Sequence, residues 1–377
     1  METAADVLLV LVGVTLVLAV YDSALRTFVL PRGVSNPLTR ITYVSLRWVF
    51  AKIARESRTY ETRDRIMALY GPISLFILVF VWMLIVITGY TLIFRAVIVD
   101  TWHDAIELSG SSFFTLGFEL PPRGLPGYVV VFTEAATGLA ILALLIAYLP
   151  TIYGAFSRRE REVSRLATIA GTPPSAVELL VRYHKIGWND QLPTMWLTWE
   201  QWFAELGETH ASLAVLTFFR SPSPHRSWVT AAGAVLDAAS LAQSTLAVPW
   251  SPQAGLCIRS GFLAFHEIAD YFDIPYDPDP PRGAPISIAR AEFDAAYEQM
   301  ASEGVPVRPD RDRCWRDFCG WRVNYDALLL ALAGLTMAPY APWSSDRSLR
   351  VAPPRVFRIR PRLQPPPASG PTPASPS

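Results

Sequence analysis

From Gly71 to Phe94 the chain reads GPISLFILVFVWMLIVITGYTLIF, 24 residues without one charge. A helix of about 20 apolar residues crosses the hydrocarbon of a bilayer. This stretch therefore constrains the chain more than any other feature. Two further stretches join it. The first runs from Val7 to about Leu30, opens with VLLVLVGVTLVLAV, and puts Asp22 and Arg26 four residues apart, where they share a helix face and can pair. The other runs from Gly127 to Tyr153, carries one charge, Glu134, and gives way to SRREREVSR. The opening METAAD is acidic and the arginines follow the apolar run, the reverse of a secretory signal. The first stretch is therefore read as a retained membrane helix.

Composition agrees. Charged residues make up 18% of the chain, against about 25% in soluble domains. The 33 basic and 33 acidic residues cancel, so no bulk charge draws nucleic acid and no nucleic-acid partner is expected. Three cysteines, Cys257, Cys314 and Cys319, cannot build a disulfide framework.

Nine basic residues lie between Tyr21 and Tyr70, and one, Arg123, lies between Ala96 and Pro126. Basic residues accumulate on the cytoplasmic side. The expected protein is thus a multi-pass cell-membrane protein with its N-terminus outside and everything after Tyr153 inside. In the inner segment, Leu38, Leu46, Val49 and Ile53 fall on one side of a helical wheel and Arg40, Arg47, Arg55 and Arg58 on the other. Such a helix either lies in the interface with its basic face toward anionic headgroups or packs on the cytoplasmic domain.

Between the second and third stretches the chain reads DTWHDAIELSGSSFFTLGFELPPRGLPG. It is too short for a domain and too apolar for an exposed loop. Thr101 with Asp104 makes a capped start for a helix from Trp102 to about Phe114. Thr115-Leu116-Gly117-Phe118 follows, then Glu119 and a Pro-Pro break.

A membrane helix, a short helix, a T-x-G-[YF] segment and a second membrane helix resemble the pore domain of the potassium-channel family. The likeness covers Gly71 to about Ser157. Thr115, Leu116, Gly117 and Phe118 match the first four residues of that family's T-V-G-Y-G filter. The resemblance implies a re-entrant pore helix, a filter-like strand whose inward carbonyls replace an ion's water, and passive conduction of a monovalent cation, potassium above all, with no other cofactor. One chain offers one filter strand, so closure implies a homotetramer. It also implies a hinge at Gly138. Glu134, an ionisable residue within a span, either braces the filter through Ser111 or Ser112, as in related channels, or snorkels to the outer interface. Glycine at Gly117 permits positive φ. Glu119 stands where the family has its fifth filter glycine. Four Glu119 carboxylates would ring the mouth and attract cations without choosing among them. A non-selective cation channel and a non-conducting membrane-anchored sensor or scaffold stay open as alternatives.

The rest reads as an all-α cytoplasmic domain. Thr172-Pro173-Pro174 starts a helix, and Trp196, Trp199, Trp202 and Phe203 form an aromatic stripe suited to a core. Helices are expected over 223–247, 251–272 and 287–301, and over one stretch from Asp310 to Leu335 whose ALLLALAGL suits a core helix rather than a fourth span. His184, His210, His225 and His266 are scattered, HEIAD lacks a second zinc-ligand His, and no Gly-rich phosphate loop occurs. No clustered catalytic set is visible, so an enzyme is not expected. The domain's own ligand or partner is left open. Ten prolines between Pro342 and Pro376, interleaved with arginines, mark a disordered tail able to touch anionic lipid. The expected architecture is an all-α integral membrane protein. It comprises a first membrane helix (1–30), an amphipathic linker (31–70), a pore domain (71–155), a helical cytoplasmic domain (156–340) and the tail (341–377).

Overall fold

The computed structural model describes residues 2–29, 36–55, 59–121, 124–281 and 283–347. The tail residues 348–377, Arg58, Arg123 and the side chain of Arg55, all used in the sequence reading, lie outside the described residues. Among those described, the chain is helical throughout. No strand occurs, and the one β-bridge is an isolated pair, Leu246 with Val307. The filter-like strand expected over Thr115–Phe118 is therefore absent; the segment is a turn at Thr115 followed by irregular backbone and a bend.

Three helices are long and apolar enough to cross a membrane: α1 (Glu2–Ala24, continued by a π-turn Leu25–Val29), α3 (Tyr60–Val97) and α5 (Leu125–Ala170). α3 is the central one. Trp82, Val86 and Phe94 are buried against α1 and the short helix α4 (Trp102–Phe113). α1 crosses α3 at Gly13 and Gly89, where a Cβ on either glycine would come within 3 Å of the other's carbonyl oxygen. Small residues let apolar helices approach this closely. Trp82 Nε1 donates to Ser23 Oγ at 3.1 Å, which satisfies the indole inside the apolar bundle. Asp22 and Arg26 pair at 2.7 Å as their spacing requires.

α3 and α5 both outrun their apolar stretches. α3 begins at Tyr60, eleven residues before Gly71, behind the N-cap of Thr59. α5 runs for 46 residues, straight through SRREREVSR. Charge does not stop a helix; only the surroundings change. Arg159 is buried and donates to Glu160 Oε1 at 2.8 Å and to the carbonyls of Leu216 and Phe219 at 2.8 and 2.6 Å. α5 is thus a shared element of the apolar bundle and the second body of the molecule.

That body is built by α6 (Ala176–Lys185), α7 (Leu192–Ser212), α8 (Trp228–Ser244), α9 (Pro252–Phe272), α10 (Arg290–Ser302), α11 (Arg311–Arg322) and α12 (Asp326–Thr336). The tryptophan stripe of α7 is core, with Trp199 and Trp202 ring centroids 4.6 Å apart. α12 is core as well: Leu328, Leu329, Leu330 and Leu332 are all buried. Three expected boundaries move. α6 starts at Ala176, capped by Ser175 rather than Thr172. Ser287 stays outside α10 because its N–H and hydroxyl donate to Asp326. The stretch from Asp310 to Leu335 breaks at Val323–Tyr325, where the Tyr325 hydroxyl is held by Asp237 at 2.8 Å and Ser240 at 2.9 Å. Residues 341–347, assigned above to the tail, pack on this body, with Ala341 and Ser344 buried.

The amphipathic linker forms α2 (Pro37–Arg55). Two of its arginines face the helical body: Arg40 pairs with Asp273 at 2.7 Å, and Arg47 donates to the Leu335 carbonyl at 2.5 Å. Its outward face carries Ile41, Trp48, Val49 and Ile53, with Lys52 Nζ 5.5 Å from the Trp48 ring centroid. Among the described residues, Arg40 and Arg47 thus take the packing role rather than an outward one.

Candidate functional site

The segment singled out by sequence begins at Thr101, whose side chain accepts from the Asp104 N–H at 3.1 Å and starts α4. α4 packs between α3 and α5. Its inward stripe is Ala105, Leu108, Ser109 and Ser112, spaced as one helix face. Ser112 donates to the carbonyl of Leu108 within its own helix.

The end of α4 explains what replaces the expected strand. Phe114 N–H bonds the Gly110 carbonyl, Thr115 N–H the Ser112 carbonyl at 3.1 Å, and Leu116 N–H the Ser111 carbonyl at 2.8 Å. Thr115 has φ +55°. This is the left-handed helix stop in which two successive N–H groups bond back to the last carbonyls. A threonine fills the position usually given to glycine. Gly117 then adopts φ +73°, the positive value expected of it, with no atom within 4 Å of where a Cβ would stand. Glu119 is fixed through its backbone, because its N–H donates to Ser111 Oγ at 3.2 Å. Outside this anchored turn, Phe114, Leu116, Phe118 and Leu120 are all exposed.

Glu134 lies behind α4 on α5 and is fully buried. Its partner is neither Ser111 nor Ser112. Ser109 donates to Glu134 Oε1 at 2.5 Å, while Oε2 has no partner among the described residues. Ser111 serves Glu119 instead. One helical turn beyond Glu134, Thr137 Oγ1 meets the Tyr21 hydroxyl at 2.7 Å, bringing α1 to the same face of α5. The sequence carried the signal for Ser109: it shares a face with Ala105 and Ser112, and that face meets α5.

Gly138 has a definite place as well. A Cβ there would stand 2.3 Å from the Phe113 carbonyl oxygen. The missing side chain is what lets α5 touch the last turn of α4. The structure thus brings Ser111, Ser112, Glu119, Glu134 and Gly138 to one helix end, and leaves Leu116 and Phe118 outward from it. No group of three or more His, Cys, Asp or Glu side chains suited to a metal occurs among the described residues. Comparisons with protein-family models, with curated proteins and with solved structures return no match in any of the three.

Proposed function

We propose that the protein is a multi-pass membrane channel that conducts a monovalent cation, potassium in the first place, through a homotetrameric pore. In this reading α3 and α5 are the two pore-domain helices and α4 is the pore helix. Thr115 to Phe118 are the filter segment and Glu119 lines the mouth. The arginine distribution sets the N-terminus outside and the helical body in the cytoplasm.

The loop Thr115–Leu120 carries the reading. It follows a capped short helix wedged between two span-length helices, and Ser111 anchors its backbone. It turns left-handed at Thr115 and again at Gly117. Its apolar side chains are left bare. Contiguous bare apolar surface calls for lipid or another chain to cover it. Three neighbouring copies around an axis would do so. The negative end of the α4 dipole would then lie toward a cation on that axis, and Glu134 with Ser109 would hold α4 from behind.

One observation favours the second reading, a non-conducting membrane anchor. The carbonyls of Ser111 and Ser112 are consumed by the helix stop, and the loop is a turn rather than a strand. Flux from liposomes loaded with K⁺ or Na⁺, together with the mass of the detergent-solubilised complex, separates the two. The channel reading expects a tetramer and cation flux that Gly117→Ala abolishes. A monomer without flux leaves the anchor.

A further inference from the structure

Where α2 meets the foot of α3, charges do not balance. Three guanidinium groups converge there: Arg40 and Arg47 of α2, and Arg220 from the loop before α8. Arg40 pairs with Asp273 at 2.7 Å and Arg220 with Asp64 at 2.5 Å, all four side chains being mostly buried. Arg47 has no carboxylate among the described residues. It donates one N–H to the Leu335 carbonyl and lies 5.1 Å over the Phe218 ring centroid. Its Nη1 and the Nη2 of Arg40 are both buried without a hydrogen-bond partner. A buried charge left unpaired is strongly unfavourable. Burial, with Arg220 nearby, pulls the Arg47 pKa below that of an ordinary arginine.

Beside these two arginines lies a cavity of about 40 Å³, walled by Tyr43, Tyr70, Phe218 and Tyr271. A site needs about 10–15 Å³ by this measure to hold one water, so a group of a few atoms fits. The Tyr43 and Tyr271 hydroxyls have no hydrogen bond to a described residue. Arg40, Arg47 and Arg220 with Asp273 and Asp64 leave one positive charge over among these five side chains, and the two arginines that line the space each keep one buried guanidinium nitrogen without a partner.

We propose that this cavity binds a compact anion on Arg47 and Arg40: a free ion such as chloride or phosphate, or the phosphodiester of a membrane lipid. The site joins α2, the foot of α3 at Tyr70 and the end of α9 at Tyr271. Occupancy therefore ties a span-length helix to the helical body. Binding of a free anion does not depend on the pore reading, whereas the lipid source rests on the membrane placement proposed above.

The test is thermal unfolding of the full-length protein in an uncharged detergent, in sodium gluconate, chloride or phosphate at equal ionic strength. A second arm uses phosphatidylcholine nanodiscs with and without phosphatidylglycerol. A free-anion site raises the midpoint in chloride or phosphate over gluconate by about 2–4 °C, saturably with concentration, and Arg47→Gln abolishes the rise. A lipid-headgroup site shows no such rise with salts but shows it with phosphatidylglycerol, again lost in Arg47→Gln. Equal responses of wild type and Arg47→Gln in every medium overturn the proposal. Should Arg47→Gln not fold, titration of the wild type with phosphate followed by phosphorus NMR decides: saturable broadening upholds the site, and linear broadening in both phosphate and lipid arms removes it.

Discussion

α5 and α8 are both rich in apolar residues, and they bury them in opposite ways. In the most apolar window of α5 only 17% of residues are covered by the protein; the same holds for α1, against 39% for the central α3. In α8 all 17 residues are buried, Asp237 included. A helix apolar all round is covered either by protein or by lipid, and length decides which is available. α8 is shorter than a span and is enclosed by its neighbours. α5 is long and apolar enough to cross a membrane, and Phe132, Leu139, Leu142 and Ile146 on it are exposed. Polar groups follow the same division. The helical body supports a buried charge network, while among the described residues the buried polar side chains of α1, α3, α4 and the part of α5 before Arg159 are hydroxyls and the Glu134 carboxyl.

The largest expected effect breaks that contrast from the side of the helical body. Asp237 of α8 is ion-paired to the fully buried Arg322, which also holds Asp326 at 2.8 Å and the Trp343 carbonyl at 2.5 Å. Arg322 and the Tyr325 hydroxyl both point at Asp237. Asp237→Asn leaves the guanidinium without its nearest counter-charge. A loss of about 3–5 kcal/mol is expected, as for other broken buried pairs. Denaturant unfolding followed by tryptophan fluorescence measures it. Hydrogen exchange in α3 and α4 should stay unchanged, because none of these partners reaches the bundle. If those helices lost protection equally, the two bodies would be one cooperative unit and the contrast would fail.

The second prediction works from the bundle. Gly138→Ala places a methyl against the Phe113 carbonyl, which must retreat. Overpacking of this kind costs about 1–3 kcal/mol. Exchange of α4 amides should rise by about tenfold for each 1.4 kcal/mol, while the helical body keeps its stability. A hinge glycine would behave differently: alanine would leave α4 protected and alter only opening.

The same contrast explains what was legible in the sequence. The three long apolar stretches needed only counting; the second and third lie within helices of span length, and the first fills α1 and runs on into the π-turn. The Thr101 cap and the Asp22–Arg26 pair are local, and both formed as read. What failed was non-local. Ser109 rather than Ser111 or Ser112 meets Glu134, because the partner is chosen by which face of α4 touches α5. Thr115 closes a helix instead of opening a strand, because Ser111 and Ser112 offer their carbonyls first. The tetrapeptide is compatible with both states, and the chain alone supplies no neighbour to pull it straight. The break at Val323–Tyr325 likewise depends on Asp237, 88 residues away.

The third effect is a pH dependence confined to the helical body. His210 is buried, and Arg159 Nη1 lies 3.1 Å from its Nε2. Burial, then the Arg159 charge, hold its pKa well below the ordinary histidine value. The unfolded chain takes up its proton near about pH 6.5, and the folded one only at lower pH. Stability is therefore complete above that pH and falls as pH drops below it, by up to about 1.4 kcal/mol per unit. Unfolding in denaturant from about pH 7 to about pH 5 should show this slope, and His210→Gln should flatten it. An equal slope in the variant would assign the effect to other groups.

The smallest effect concerns Glu119, and it bears on what surrounds the α4 end of the bundle. Its backbone N–H is fixed by Ser111 Oγ, so substituting the side chain leaves the turn in place. Within a tetrameric pore, four such carboxylates surround one axis and raise the local concentration of cations. Each contributes on the scale of an exposed charge, about 0.2–1 kcal/mol. That attraction is screened over about 8 Å at physiological ionic strength. Glu119→Gln keeps the shape and removes the charge. Single-channel conductance should then fall at low salt and converge on the wild type at high salt. Glu119→Gly restores the residue found in the potassium-channel filter and should raise the preference for K⁺ over Na⁺. If the carboxylate turns away from the axis, the first variant loses its salt dependence and the second loosens the tetramer instead of sharpening selection. Conductance of both variants at two salt concentrations distinguishes these outcomes, and a salt-independent deficit in Glu119→Gln removes the charged mouth from the proposed mechanism.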